Sequence, residues 1–452
     1  MGHLLLKGGT VVSVDPAIGT LREGDVLVEG ERIVAVGQGL EAPDGAEIID
    51  VSGMIVMPGF VNAHMHTWQT GLRGIAADWT IREYLRAMHA GLATHFRPAD
   101  IHIANLAGAL HQIDCGTTTL VDWCHNNPKP DYTDAAIDGL EESGIRSLFL
   151  HGSPKPDPKE GQKHFSQIPL PRGEVERLRK GRMASDDRLV TFGLAILGPG
   201  MSVYDVARAD ILLAREFGLV ASMHVTGAVL VPDGFERLSA AGLISASVNL
   251  VHANILSDAT LSLLCDEGAT FTVTPEVEMQ MGFGKPLTNR LIARGSAISI
   301  GADIESATSS DMFGVARFAL QSARFIAALE SVEATGKAPE ALAITAADAL
   351  RWATIEGARM ARLDHKVGSL TPGKEADIVL LRTDALTPIH DPVAAIVLQA
   401  SPRDVDSVMI AGAFRKRRGR LLAGDLGQLR ARLEESGRRI VAATFPARAG
   451  SG

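Results

Sequence analysis

Two histidines separated by one residue, His64 and His66 in the run Pro58-Gly59-Phe60-Val61-Asn62-Ala63-His64-Met65-His66, carry the sharpest chemical signal in the chain. In an extended strand residues i and i+2 point to the same side, so both imidazoles face one point. Paired imidazoles of this kind suit a divalent transition metal such as zinc or iron. Three further polar residues close apolar runs where none is expected: His224 ends 219–224, His252 ends 248–252 and Asp303 ends 297–303. Each alone reads as a hydrogen-bonded core residue. As a set following H-x-H they read as a metal centre with acid–base groups around it.

Other residues stand after the same runs. Trp68, Gln69 and Trp79 follow the first, Trp123 and His125 the second, and Met279 and Met281 the seventh. They would form a planar apolar slot for an aromatic or heterocyclic ligand, although packing beneath loops accounts for any one of them. Glu276 and Glu278 follow Pro275. If extension continues past the proline, period 2 places both on one side, where one would reach the cavity; otherwise they are solvated loop carboxylates or partners of Arg residues.

The elements that must position these groups are apolar runs at 55–61, 117–122, 146–150, 190–197, 219–225, 248–252, 270–274 and 297–304. They read as strands buried on both faces, as in a parallel sheet. Helical patterns such as 134–143, 205–217 and 258–267 separate them. Eight βα units predict an α/β chain with a (β/α)8 barrel of the TIM type, which places its chemistry at the C-terminal strand ends. Short β runs at 4–6, 10–14, 25–29 and 32–36 return at 377–381 and 405–411. They predict a small β-sandwich domain built from both chain ends, 1–57 with 364–425, around a barrel at 58–363. A C-terminal helix and tail occupy 426–452.

The chain has 452 residues, 46% hydrophobic and 21% charged, enough for a large core. A net charge of −9 argues against nucleic-acid or anionic-membrane partners and leaves a small-molecule substrate. Three cysteines without C-x-x-C spacing predict a reducing compartment. The apolar run 4–6 is too short for a signal peptide or membrane span, so the expected location is cytoplasmic. A homo-oligomer is expected. Residues 154–173, rich in Pro, Lys and Gly, form a long surface loop, either an active-site lid or a merely mobile excursion. The basic run 415–420 reads as a solvated turn.

With these residues in place, the chain resembles the amidohydrolase superfamily, particularly the branch of cytosine, guanine and S-adenosylhomocysteine deaminases and triazine hydrolases. Family-like passages at 24–33, Gln69–Gly74, 116–122, 353–358 and 367–379 extend the resemblance over nearly the whole chain. It implies that His64, His66, His224 and Asp303 ligate one divalent ion, zinc first, with iron, manganese or cobalt also accepted by such donors. The fourth run, 190–197, has no lysine for the bridging carbamate of dinuclear members. Water on the ion would titrate near pH 7 instead of about 16, making hydroxide available. Asp303 would also act as general base, and His252 would hydrogen-bond the attacked group.

One departure matters. Deaminases of this branch carry Glu three residues after the histidine corresponding to His224, and here that position is Gly227. Two C–N hydrolyses stay open: deamination of an aminated N-heterocycle, with Glu276 or Glu278 replacing the missing carboxylate, or cleavage of an amide, urea or carbamate. Hydrolytic dehalogenation and thiocarbamate cleavage would use the same site. A non-catalytic scaffold is the remaining alternative, and the intact ligand positions weigh against it.

Overall fold

The structure is a computed structural model and describes residues 2–445. The flexible tail expected after the last helix falls on 446–452, outside the described residues. Eight parallel strands form the central sheet: β1 (Phe60–Met65), β2 (Thr117–Cys124), β3 (Arg146–His151), β4 (Val190–Ile196), β5 (Ala221–Val225), β6 (Val248–His252), β7 (Thr270–Val273) and β8 (Ile298–Ile300). They pair in sequence order, and nearly every residue in them is buried, as the unbroken apolar runs require.

Closure from β8 back to β1 occurs beyond the end of β8. Met65 pairs with Asp303 in an isolated parallel bridge. The Asp303 amide donates to the His64 carbonyl at 2.9 Å, and the His66 amide donates to the Asp303 carbonyl at 2.8 Å. Gly301 permits this approach, because a Cβ there would lie 2.6 Å from the His64 nitrogen.

Two sequence expectations change in detail. The run 55–61 is two strands, Met54–Pro58 in the second sheet and β1 in the barrel, with Gly59 between them. The eighth strand stops at Ile300, so Asp303 lies on the segment after it.

Both chain ends build the second, mixed sheet of nine strands: His3–Val12, Thr20–Glu29, Arg32–Gly37, Glu47–Asp50, Met54–Pro58, Ile378–Arg382, Val405–Ile410, Ala413–Arg417 and Arg420–Leu421. The ends join where Met54–Pro58 pairs antiparallel with Ile378–Arg382. Arg146 at the start of β3, 2% exposed, ties this sheet to the barrel through Asp377 and Glu375. The basic run is not solvated throughout: Lys416 is buried, with its Nζ 2.8 Å from Asp114 Oδ1.

The longest helix, Met312–Thr335, is long and apolar enough by composition to cross a membrane, but half of that window is buried within the fold. Its buried Phe313, Ala316, Ala319, Leu320 and Ala323 recur at helical spacing. The C-terminal helix Leu426–Thr444 is held on the barrel by Ser436 and Arg439, both bound to Asp100.

Candidate metal centre

Strand geometry brings His64 and His66 to one side of β1, with ring centroids 4.9 Å apart. His224 enters from β5, its Nε2 3.2 Å from His64 Nε2. Asp303 completes the set, with Oδ1 3.2 Å from His64 Nε2 and 3.5 Å from His66 Nε2. One ligand atom from each of the four lies within 4.8 Å of all the others, and all four residues are buried.

The donor chemistry fits a divalent ion. Burial pushes the His66 imidazole down to about 3 and lowers His64 and His224 as well, so all three rings are neutral and present lone pairs. His66 Nδ1 lies 2.7 Å from the Trp123 carbonyl. A carbonyl only accepts, so the proton is on Nδ1 and Nε2 faces the cluster with its lone pair. Asp303 adds the one carboxylate of the set, its Oδ1 turned toward His64 and His66. Converging lone pairs and a carboxylate repel one another unless a cation sits between them.

His252 stands at the edge of the set. Its Nε2 is 3.9 Å from Asp303 Oδ2, and its Nδ1 faces Glu278 Oε1 at 3.3 Å and Thr274 Oγ1 at 3.0 Å. His252 and Asp303 both have left-handed backbones, φ +66° and +62°. Non-glycine residues avoid this region, and strain of this kind gathers at sites that need a fixed side-chain aim.

Glu276 and Glu278 do not share one side of an extended strand, because Pro275 opens a helix, Pro275–Gln280, and not a strand extension. Glu278 is fully buried behind His252, where it accepts from the Thr274 amide at 2.8 Å and from Asn254 at 3.2 Å. It positions His252 and does not line the cavity. Glu276 also lies off the cavity wall, its carboxyl raised by burial and by Asp311.

A cavity of about 410 Å³ opens over the cluster. Of the substrate candidates, His125 and Met281 line it. Trp123 lies behind the ligands, edge-on to His224 at 4.2 Å between ring centroids. Trp68 is fully buried against Phe96 and His125. Gln69, also buried, bonds the Tyr84 hydroxyl and Ser306. Trp79 is partly buried against the core. Trp68, Gln69, Trp79 and Trp123 therefore act as supports and not as cavity wall.

The sequence reading missed Tyr84, His89, Lys155 and Phe283, all of which line the cavity. His89 bonds His125 at 3.0 Å. No local pattern marks these residues: Tyr84 and His89 lie in short helical turns after β1, and Lys155 lies in the Pro-rich loop after β3.

The sequence model of the Amidohydrolase family matches residues 55–415. A 5-methylthioadenosine/S-adenosylhomocysteine deaminase of Symbiobacterium thermophilum is 28% identical, covering 98% of this chain and 100% of its own length. A 5'-deoxyadenosine deaminase of Methanothermobacter thermautotrophicus is 28% identical over 89% of this chain and 91% of its own. Among solved structures, an adenosine deaminase from Xanthomonas campestris with bound zinc superposes with a TM-score of 0.81 at 24% identity, covering 97% of this chain and 98% of that one. An atrazine chlorohydrolase from Arthrobacter aurescens TC1 complexed with zinc gives 0.82 at 22% identity, covering 96% and 100%. These structures share the fold.

Proposed function

The chain belongs to the amidohydrolase family, hydrolases of carbon–nitrogen bonds other than peptide bonds, and on that premise we propose that it cleaves the C–N bond of a small amide, urea or carbamate. The ion would be zinc, held by His64, His66, His224 and Asp303. The observation that carries the choice of bond is the cavity wall at Gly227. A Cβ there would meet nothing within 4 Å, and Asp303 is the sole carboxylate among the described residues lining the cavity. Beyond Asp303, no second carboxylate among the described residues lines the cavity to carry a further proton to a ring nitrogen.

When bound, the ion supplies an acidified water as nucleophile and polarises the scissile carbonyl. Asp303 Oδ2, on the His252 side of the carboxylate, accepts the proton of the attacking water. His252 donates from Nε2 to the oxygen that gains charge, and Glu278 and Thr274 at its Nδ1 side fix the aim of the ring. The proton held on Asp303 then passes to the departing nitrogen. An amine leaving from an amide-type carbon needs one such delivery, which a single carboxylate can make.

The named activities of the relatives favour a second reading, deamination of an adenosine-like heterocycle. The deciding experiment offers the zinc-loaded enzyme two panels: amides, ureas and carbamates, and aminated purines, pyrimidines, pterins and triazines. Amine or ammonia release confined to the first panel is expected. Ammonia from any ring class would replace the first reading with the second.

A further inference from the structure

Lys155 has a setting that the reaction does not account for. It lies in the loop after β3, within Ser153-Pro154-Lys155-Pro156. Between 153 and 164 it alone is buried, at 7% exposure, while Lys159 and Lys163 of the same loop are exposed. The two prolines fix their own φ and hold the residues before them extended, so Lys155 is carried on a stiff segment. Its Nζ faces the Met201 sulfur at 3.9 Å and the Trp123 ring at 5.3 Å from the centroid. Among the described residues it forms no ion pair. A sulfur and an indole face compensate little of the hydration that a buried ammonium loses.

The charge around it has one sign. Apart from Asp303, which the metal centre uses, the charged side chains lining the cavity among the described residues are Lys155 and, at the exposed rim, Arg82. A bound divalent ion adds further positive charge. The rest of the wall is largely apolar, including Ile81, Leu85, Phe165, Leu230, Phe283 and Ile304. A pocket with uncompensated positive charge in an apolar wall selects a ligand with an apolar body and an anionic group.

The geometry points to Lys155 as the specificity-determining residue of this site, receiving a carboxylate on the substrate, so that the substrate class is an acidic amide, urea or carbamate with an apolar body. The reacting end of that substrate rests on the reading of the reaction above; the carboxylate contact does not, and it is tested without turnover.

The test uses the zinc-loaded protein and two probes of equal shape, benzoate and benzamide, with binding measured by calorimetry. A charge-assisted hydrogen bond predicts that benzoate binds about 10- to 100-fold more tightly than benzamide. The preference should survive in Lys155→Arg and vanish in Lys155→Met, which fills the same space. Benzoate binding undiminished in Lys155→Met would mean that the ion alone holds the carboxylate, and would overturn the proposal. So would equal affinity for the two probes in the wild type, or no benzoate binding at all. A Lys155-dependent preference in an enzyme that releases ammonia only from aminated rings would overturn the amide reading and leave the anion site standing.

Discussion

The Asp303 amide donates to the His64 carbonyl at 2.9 Å, and the side chains of the same two residues meet at 3.2 Å. The backbone contact closes the barrel between its last and first strands, and the side-chain contact closes the ligand set. The same two residues therefore serve both barrel closure and the ligand set. Gly301 controls both, since a methyl group there would press on the His64 backbone. Gly301→Ala should lower stability by about 1–3 kcal/mol, the usual cost of overpacking, and weaken zinc affinity together with it. Thermal unfolding and metal titration check this. A drop in stability with unchanged zinc affinity would separate the two closures.

Asp303→Asn should abolish turnover, because it removes both a ligand and the proton acceptor. Assays at saturating zinc distinguish the two losses. Near-normal rates in the fully loaded variant would remove its role as base.

Glu278→Gln should lower kcat by about 10- to 100-fold, the usual effect of losing a group that orients an active-site histidine, with zinc content unchanged. Glu276→Gln should leave kinetics as they are, because that side chain lies off the cavity. The opposite ranking would restore Glu276 as a proton carrier.

Lys155 also has a stability signature. Burial pushes its ammonium down to about 8 from the usual 10.5. Between those values the unfolded chain holds the proton and the folded one does not, so stability rises with pH across that window. Below about pH 8 the folded protein bears the full cost, roughly 3 kcal/mol. Lys155→Met should therefore be more stable than the wild type at pH 7 and lose that advantage by pH 10. Denaturant unfolding at the two pH values measures it; a variant destabilised at pH 7 would show that the amine has a partner worth more than its desolvation.

Arg146→Ala should cost about 3–5 kcal/mol, since it leaves the Asp377 and Glu375 carboxylates buried without their cation. Arg146→Met removes the same charge but keeps the packing, so the difference between the variants separates the ionic part from the apolar part.

What the sequence by itself determined was whatever period and strand-end position encode. H-x-H on an extended run fixed the aim of His64 and His66 without knowledge of any neighbour. Polar residues ending apolar runs marked His224, His252 and Asp303, because strand ends on one rim of a barrel converge whatever the loops do. The missing carboxylate at Gly227 was equally legible, being a matter of residue type at a short offset. The tertiary structure decided what depends on backbone conformation after a strand and on long-range contacts. Pro275 reads as leading into an extension or a loop, and the helix that it opens instead turned Glu278 from a shuttle into a support for His252. Trp68 and Gln69 carry ring and amide groups that suit ligand or core alike, and burial assigned them to the core. Lys155 looked like its exposed neighbours Lys159 and Lys163 because composition cannot say which lysine of a loop turns inward; the packing of that loop over the barrel mouth does.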